Sequence, residues 1–589
     1  MRSGSLWAKG LVTASLLTGL FFTRISSTWG QGPSAGPADT SRSVEQPLVN
    51  DSAVEQKPAA PTSNPPPAAI PSEILDPAPA AGADGGPGGE DTKPFWATNP
   101  PVTPLPRLGF GYIPPTGCGY YSLRDLLLGN ERETPPKYPY APTAITPFSF
   151  FDADFRYLDD PKNTQFDWLD FTKRIHIGDN WLFSVGGEER FRYMNEVDSR
   201  LNRAGTDNVY ELLRTRVYAD LWYRNVFRVY AEFLDASIVN QDLTPAVIDK
   251  VKPTMLNLFA DLKVFELDDS PVYLRGGRQE LLYGSERLIS PLDWANTRRT
   301  FQGVKGFWHT KDLDIDAFWV QPVVDNTFDY HYGPDRRQNF EAAWTTYRPC
   351  AGQAMDFYYL NLDNSNHVAR GQYGNLSGFN VSTFGSRYAG DYENILWDAE
   401  GMFQFGNWAN QVTTAGAATA GAGYHFADVP LNPTFWIYYD WASGDPHPGT
   451  GSVHRTFNQL FPFGHYYFGG IDLIGRQNIH DLNLDLWLNP TKWIATGVQF
   501  HVLHLDSPKD SLYNSGGAAT LGTTLTGAAR AVNGEATGVG NELVFITNFH
   551  LSPHQDIFLQ YCKLYAGSFL TENGRGSPSL FAACYSFKW

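Results

Sequence analysis

Cysteine, charge and long apolar runs are all scarce in this chain. Its 589 residues hold 4 cysteines, Cys118, Cys350, Cys562 and Cys584, enough for a thin disulfide framework at most. None of them has CxxC spacing, which argues against a structural zinc site. Only 18% of residues are charged, and 45 Lys and Arg stand against 62 Asp and Glu. The resulting net charge of −17 argues against a nucleic-acid partner. No GxSxG or HExxH motif is present, so neither an enzyme nor a cofactor is expected. Beyond residue 22 no segment approaches 18 continuous apolar residues, so any membrane span must be built from strands.

Aromatic residues are abundant, at 15%, yet the mean hydropathy is −0.33. Many Tyr, Trp and Phe therefore sit among Asn, Gln, Gly, Ser and Thr, which is the composition of strands with one apolar and one wet face. Residues 1–30 read as a secretory signal. Arg2 and Lys9 form its basic end, 11–22 its apolar run, and Ser27-Thr28-Trp29-Gly30 offer small residues for cleavage. Residues 31–93 are rich in Pro, Ala and Gly and cannot bury a core; they are expected to be a disordered or polyproline-like spacer reaching a periplasmic or cell-wall partner. Residues 94–180, aromatic but irregular, read as a periplasmic segment packed under or against the region 181–589.

From 181 to 589 the pattern becomes regular. In 210–223 one parity holds Leu213, Val217 and Leu221, and the other holds Arg214, Arg216 and Asp220. In 395–405, Ile395, Trp397, Phe403 and Phe405 alternate with Asp398, Glu400 and Gln404. A period of two sends such sets to opposite faces. About eighteen strand windows succeed one another, separated in turn by long loops (284–300, 322–338, 363–378, 408–418, 442–478, 506–538, 566–579) and by short turns. That asymmetry predicts an all-β fold, an antiparallel up-and-down transmembrane barrel in the outer membrane, in contact with its lipids. The last window, with Phe581, Tyr585, Phe587 and Trp589 on one face, resembles the aromatic-terminated final strand of bacterial outer-membrane proteins.

The face opposite the apolar parity carries the chemistry. On the first five strands it holds Glu188, Arg190, Arg192, Arg214, Arg216, Asp220, Arg228, Glu232, Asp261, Lys263 and Arg275; farther along it holds Asp398 and Glu400. An outward arginine near the membrane midplane would cost about 2–4 kcal/mol, so these side chains are expected to face a lumen. One reading is a polar conduit whose basic stripe attracts small anions or an anionic polymer. The other is a self-neutralising network that stiffens the wall and binds nothing. Glu189 lies on the wrong parity, which a strand end or a bulge would explain. His447, His454 and His465, in the loop 442–478, fit no zinc template, and that loop reads as an external lid. Cys562 and Cys584 share a parity and flank the last hairpin symmetrically, so they could face each other. Cys118 and Cys350 are both expected on the periplasmic side, where a bridge would tether the segment 94–180. Free thiols are the alternative for each pair.

The most distinctive stretch is 272–301. Gly277-Arg278-Gln279-Glu280, Tyr283-Gly284, Glu286-Arg287 and Asp293-Trp294-Ala295-Asn296-Thr297-Arg298-Arg299 resemble the alginate export family of outer-membrane barrels. Leu213-Arg214-Thr215-Arg216, Ala442-Ser443-Gly444-Asp445, Asp510-Ser511-Leu512-Tyr513 and Gly567-Ser568-Phe569 support the resemblance, which spans about 180–589. It implies a monomeric, eighteen-stranded barrel with lid segments and an arginine-lined constriction that selects an anionic polysaccharide. Arg190, Arg192, Arg214, Arg216, Arg275, Arg298 and Arg299 become pore residues in that case, with neighbouring Asp and Glu positioning them. A general porin and an envelope-anchored structural or adhesion barrel are the alternatives.

Overall fold

The two faces of these strands are inverted relative to those of a water-soluble sheet. On the strand Asn208–Tyr223, Leu213 is 44% exposed, while Arg214 and Arg216 are 1% exposed. Phe357, Phe384, Phe403, Phe545 and Tyr561 stand on the outside, and the largest fully buried side chains include Arg190, Arg192, Arg287 and Arg387. Such a surface is favourable against hydrocarbon and unfavourable against water. Among the described residues no helix is long and apolar enough to cross a membrane; the strands provide the span.

The computed structural model describes residues 149–589, apart from 162, 164–166, 202–205, 325–332, 351, 372–373, 427–428, 432, 492–493, 523–534 and 553. The signal, the Pro-rich segment and Cys118 lie outside the described residues. Eighteen antiparallel strands close into one barrel. They are β1 Trp181–Val197, β2 Asn208–Tyr223, β3 Phe227–Val239, β4 Val251–Leu267, β5 Ser270–Gln279, β6 Phe301–His309, β7 Leu313–Val324, β8 Gln338–Tyr347 and β9 Gln353–Arg370. The ring continues with β10 Leu376–Tyr392, β11 Ile395–Trp408, β12 Gln411–His425, β13 Thr434–Ala442, β14 Ile479–Thr491, β15 Ile494–His504, β16 Gly538–Ser552, β17 Gln555–Ala566 and β18 Ser579–Lys588. Each strand pairs with its neighbours in sequence, and β18 returns to β1 in the register Glu188↔Lys588 through Val197↔Ser579. Closure leaves no sheet edge unpaired in the membrane. Trp589 extends the seam by exchanging backbone bonds with Gly187 at 2.8 and 3.0 Å. Only glycine fits there, because a Cβ would stand 2.3 Å from the Arg216 carbonyl oxygen.

The expected rhythm of loops and turns fails in one hairpin and shifts in two others. The segment 408–418 is not an external loop, since β11 and β12 pair without a break from Ile395↔Tyr424 to Trp408↔Gln411. Its sequence, Gln411-Val412-Thr413-Thr414-Ala415-Gly416-Ala417-Ala418, is too uniformly small to display alternation, yet its backbone ladder is complete. The loop 363–378 shrinks because β9 runs to Arg370 and β10 starts at Leu376. Strand β5 stops at Gln279, short of the expected Tyr283, and the chain turns inward there.

At the short-turn end, Phe150 and Phe151 pack inside the ring from a brief 3-10 turn. Phe150 lies 5.5 Å from Tyr218, and Phe151 meets Tyr230 and Phe259 edge-on at 5.6 and 5.2 Å. Arg228 donates to the Phe151 carbonyl at 2.7 Å. Lys173 donates to the Val185 carbonyl at 2.6 Å, tying the segment to β1.

Candidate functional site

The loop 280–300 cannot face lipid with its charges, so it folds into the lumen. Gly284, at φ +55, permits the reversal, and a Cβ there would meet the Trp344 ring at 2.9 Å. The loop then presents consecutive carbonyls to the inner face of β1 and β2. Arg190 donates to Asp293 O and Ala295 O at 2.8 Å each, and Arg192 donates to Trp294 O at 2.9 Å. The Arg192 guanidinium also lies 3.4 Å from the centre of the Trp294 ring. Arg214 bridges the wall and the loop. It holds Glu188 at 2.7 Å, Asp293 Oδ1 at 3.0 Å and Asp293 O at 2.8 Å.

The other arginines of the stripe are matched by carboxylates. Arg216 pairs with Glu232 at 2.6 Å, Arg228 with Asp220 at 2.8 Å and Arg275 with Asp261 at 2.7 Å. Arg298 binds both Glu280 and Asp293. Arg190 and Arg192 differ: among the described residues neither has a carboxylate partner. Two further expected pore residues lie elsewhere. Lys263 sits near the turn end and pairs with the exposed Glu266. Arg299 donates to the Pro462 carbonyl at 3.0 Å, so it holds loop to loop.

A second loop, 443–478, completes the plug. Ser290 N donates to Phe461 O at 2.9 Å, Phe461 N to Leu288 O at 2.9 Å and Phe463 N to Glu286 O at 2.8 Å, forming a short parallel bridge. Trp294 stacks on His465 at 4.8 Å, and the Tyr467 hydroxyl donates to the Ser285 carbonyl. Gly469 and Gly470 let the loop press on the wall. Side chains there would come within 2.3 Å of Glu542 Oε2 and 2.4 Å of Cys562 Sγ. On the far side of the ring Arg287 ties the plug to Asp398 at 2.7 Å and Glu400 at 2.9 Å, and Arg476 ties it to Asp440 at 2.5 Å. Asp510, in the loop after β15, accepts from Asp445 N at 2.8 Å, Thr456 Oγ1 at 2.5 Å and the Tyr513 hydroxyl at 2.8 Å. The Ser-Gly-Asp and Asp-Ser-Leu-Tyr segments are thus one joint between two loops.

Burial sets the charge state of the plug. It pushes the Glu286 carboxyl up to about 7, against the Ser290 hydroxyl and Arg298. It raises Asp510 to about 6 despite its donors. Burial also holds His465 neutral, well below the usual histidine range, and neighbouring Arg192 adds to this. Among the described residues no group of three or more His, Cys, Asp or Glu is arranged to hold a metal.

A sequence profile described as alginate export matches residues 181–582, more than half of the chain. The chain belongs to the alginate export family. It is accordingly an outer-membrane channel and not an enzyme. No curated protein matches it. Among solved structures, OccK8 (OprE) of Pseudomonas aeruginosa is 9% identical with a TM-score of 0.47, covering 69% of this chain and 98% of that one. OprD from Pseudomonas aeruginosa is 11% identical with a TM-score of 0.43, covering 69% and 93%. OccD3 (OpdP) of the same organism is 10% identical with a TM-score of 0.45, covering 69% and 91%.

In this member of the alginate export family, reading the sequence missed the plug's second set of anchors. Arg287 stood in the motif without a role, and Arg476 was not singled out. Their signal was available only in part: Asp398, Glu400 and Asp440 share the inward parity and need cations, but the cations come from a distant loop. The proposed bridge between Cys562 and Cys584 is corrected by the register. Cys562 stands opposite Leu580 and Cys584 opposite Phe558, so the two thiols are offset along the strands and free. Symmetry about the loop midpoint failed because the hairpin ends asymmetrically, with the turn of helix Ser568–Glu572 on one side only. Cys350 is free and exposed, and its suggested partner Cys118 lies outside the described residues.

Proposed function

We propose that this channel passes an anionic polysaccharide, and that Arg190 and Arg192 are the groups that take its carboxylates. Both guanidiniums are buried, Arg190 held by the loop carbonyls and Arg192 by the Trp294 carbonyl and the Trp294 ring, with no carboxylate in ion-pair contact among the described residues. That is the observation that carries the reading. A guanidinium gains from a carboxylate a full charge–charge attraction that a neutral carbonyl cannot offer. A polymer carboxylate arriving at this corner therefore outcompetes the loop carbonyls of Asp293, Trp294 and Ala295, and its binding favours withdrawal of the loop. Arg214, Arg216, Arg228 and Arg275 stay paired with their acids and keep the wall rigid. Because one barrel encloses the whole conduit, the channel acts as a monomer.

The test is current through single channels in a planar bilayer. Uronate oligosaccharides are expected to block the current at low salt and less at high salt. Arg190→Gln with Arg192→Gln is expected to abolish the salt-sensitive part. A native channel whose current ignores uronates, or a double variant blocked as well as the native, overturns the assignment. A general porin would then be the better description.

A further inference from the structure

Buried polar groups in folded proteins nearly always have partners. One sector of this barrel departs from that rule along a whole strand. The inward side chains of β14 are, in order, Asp481, Asn483, Asp485, Trp487 and Asn489, each no more than 2% exposed. Four of the five have a polar atom without a hydrogen-bond partner, namely one carboxylate oxygen of Asp481, the amide oxygens of Asn483 and Asn489, and Nε1 of Trp487, while Asp485 faces Gln499 across to β15. Trp436 on β13, in register with Asp485, adds another unmet indole donor. At about 3.3 Å per residue this file is roughly 26 Å long. It runs from beneath the plug towards the turn end of the barrel.

The chemistry of the file is mixed. Acceptors stand beside two indole donors, and the Trp436 ring is stacked on Tyr438 at 5.1 Å. A carboxylate would be repelled by Asp485, Asp481 being paired with His501 at 2.7 Å, and a simple cation would leave both indole donors unmet. A hydroxyl both donates and accepts, and the apolar face of a sugar ring packs on indole. We infer that the inner face of β14, with Trp436, is a second track for the transported chain, one that binds the hydroxyl groups of a saccharide while its carboxylates go to Arg190 and Arg192. The inference rests on the polysaccharide reading above but concerns a different surface.

The decisive measurement compares block of single-channel current by a uronate oligosaccharide and by its neutral, carboxyl-reduced counterpart of equal length. Asn483→Leu with Asp485→Leu replaces two buried polar side chains, which face His501 and Gln499, by apolar ones of similar volume; folding is checked by heat-modifiable gel mobility, and the tryptophan variant tests the track should this one not fold. The leucine variant is expected to weaken block by both sugars about tenfold. Arg190→Gln with Arg192→Gln is expected to weaken only the uronate. Trp436→Phe with Trp487→Phe, which keeps the rings and removes the donors, is expected to shorten the residence of the neutral sugar severalfold. Neutral-sugar block that is unchanged in both file variants, or absent from the native channel, overturns the track and leaves the file to water. If uronate block alone is missing while the file variants still change neutral-sugar block, the arginine assignment falls and the track stands.

Discussion

The plug is held at two places, and the arginines there differ in what they hold. At β1 and β2, Arg190 and Arg192 grip loop carbonyls and make no direct ion pair with an acid among the described residues. Near β11 and β13, Arg287 and Arg476 each meet a wall carboxylate, at 2.7 and 2.5 Å, and Arg387 on β10 shares Asp398 from within the wall at 2.8 Å. Buried arginine is therefore not one functional category. Where the acid count matches, the group is a lock whose loss leaves a buried charge unpaired. Where it does not match, the group is a cation held in reserve by weaker partners.

The strongest way to break this comparison is Arg287→Ala. It takes the cation from Glu400 and one of two from Asp398, which keeps Arg387 at 2.8 Å, and breaking a buried pair typically costs about 3–5 kcal/mol. The plug is expected to release before the barrel melts, so open-channel conductance rises. Cys562 and Cys584, both buried facing the lumen, should then react with a maleimide that leaves them untouched in the native protein. Native-like conductance together with protected thiols would show that the carboxylate side does not hold the plug.

Glu286 gives the next effect, through pH. Its carboxyl is carried from 4.5 to about 7 by burial. In the closed arrangement it keeps a proton that an exposed glutamate has already lost. The closed arrangement is thus favoured in acid, and that preference fades as pH rises from about 4.5 through 7, at up to tenfold in population per pH unit. Conductance should rise over that interval. Glu286→Gln, neutral throughout, should remove this part of the slope, and an unaltered pH profile in the variant would discount Glu286 as its source. Removing the neutral-partnered side is expected to matter less for closure. Arg190→Gln leaves uncharged carbonyls unmet, at about 1–3 kcal/mol, so a closure defect as large as that of Arg287→Ala would erase the distinction.

The barrel was legible because alternation over ten or more residues survives any detail of packing, and each of the eighteen windows overlaps one strand. Where side chains are uniformly small, as in Gln411–His425, the same rule had nothing to read. The basic stripe was legible as a set, and Glu188, Asp220, Glu232 and Asp261 proved to be the partners of its arginines. Which arginine lacked an acid was not legible, because the answer lies in loops more than 70 residues away, as with Arg214 and Asp293. The file on β14 shows up as a polar parity, but unmet hydrogen bonds exist only once the neighbouring strands are in place.

The smallest expected effect lies one residue from the largest charges. Glu188 and Glu189 are neighbours on β1, and the register Glu188↔Arg216, Glu189↔Thr215, Arg190↔Arg214 runs through them without a bulge. Glu189 therefore points outward, exposed, with only the Thr215 hydroxyl donating to it at 2.7 Å. An acid on the lipid face of a barrel costs less than a basic residue does, so Glu189→Leu should change stability to urea unfolding by under about 1 kcal/mol, and in the stabilising direction. Glu188→Leu takes from Arg214 the closer of its two carboxylates, held at 2.7 Å against 3.0 Å for Asp293, and falls in the class of about 3–5 kcal/mol losses. A pair of variants with equal losses would mean that Glu189 meets something other than lipid on the outer wall. A wide gap between them would confirm that the charge balance of this channel is kept inside the ring.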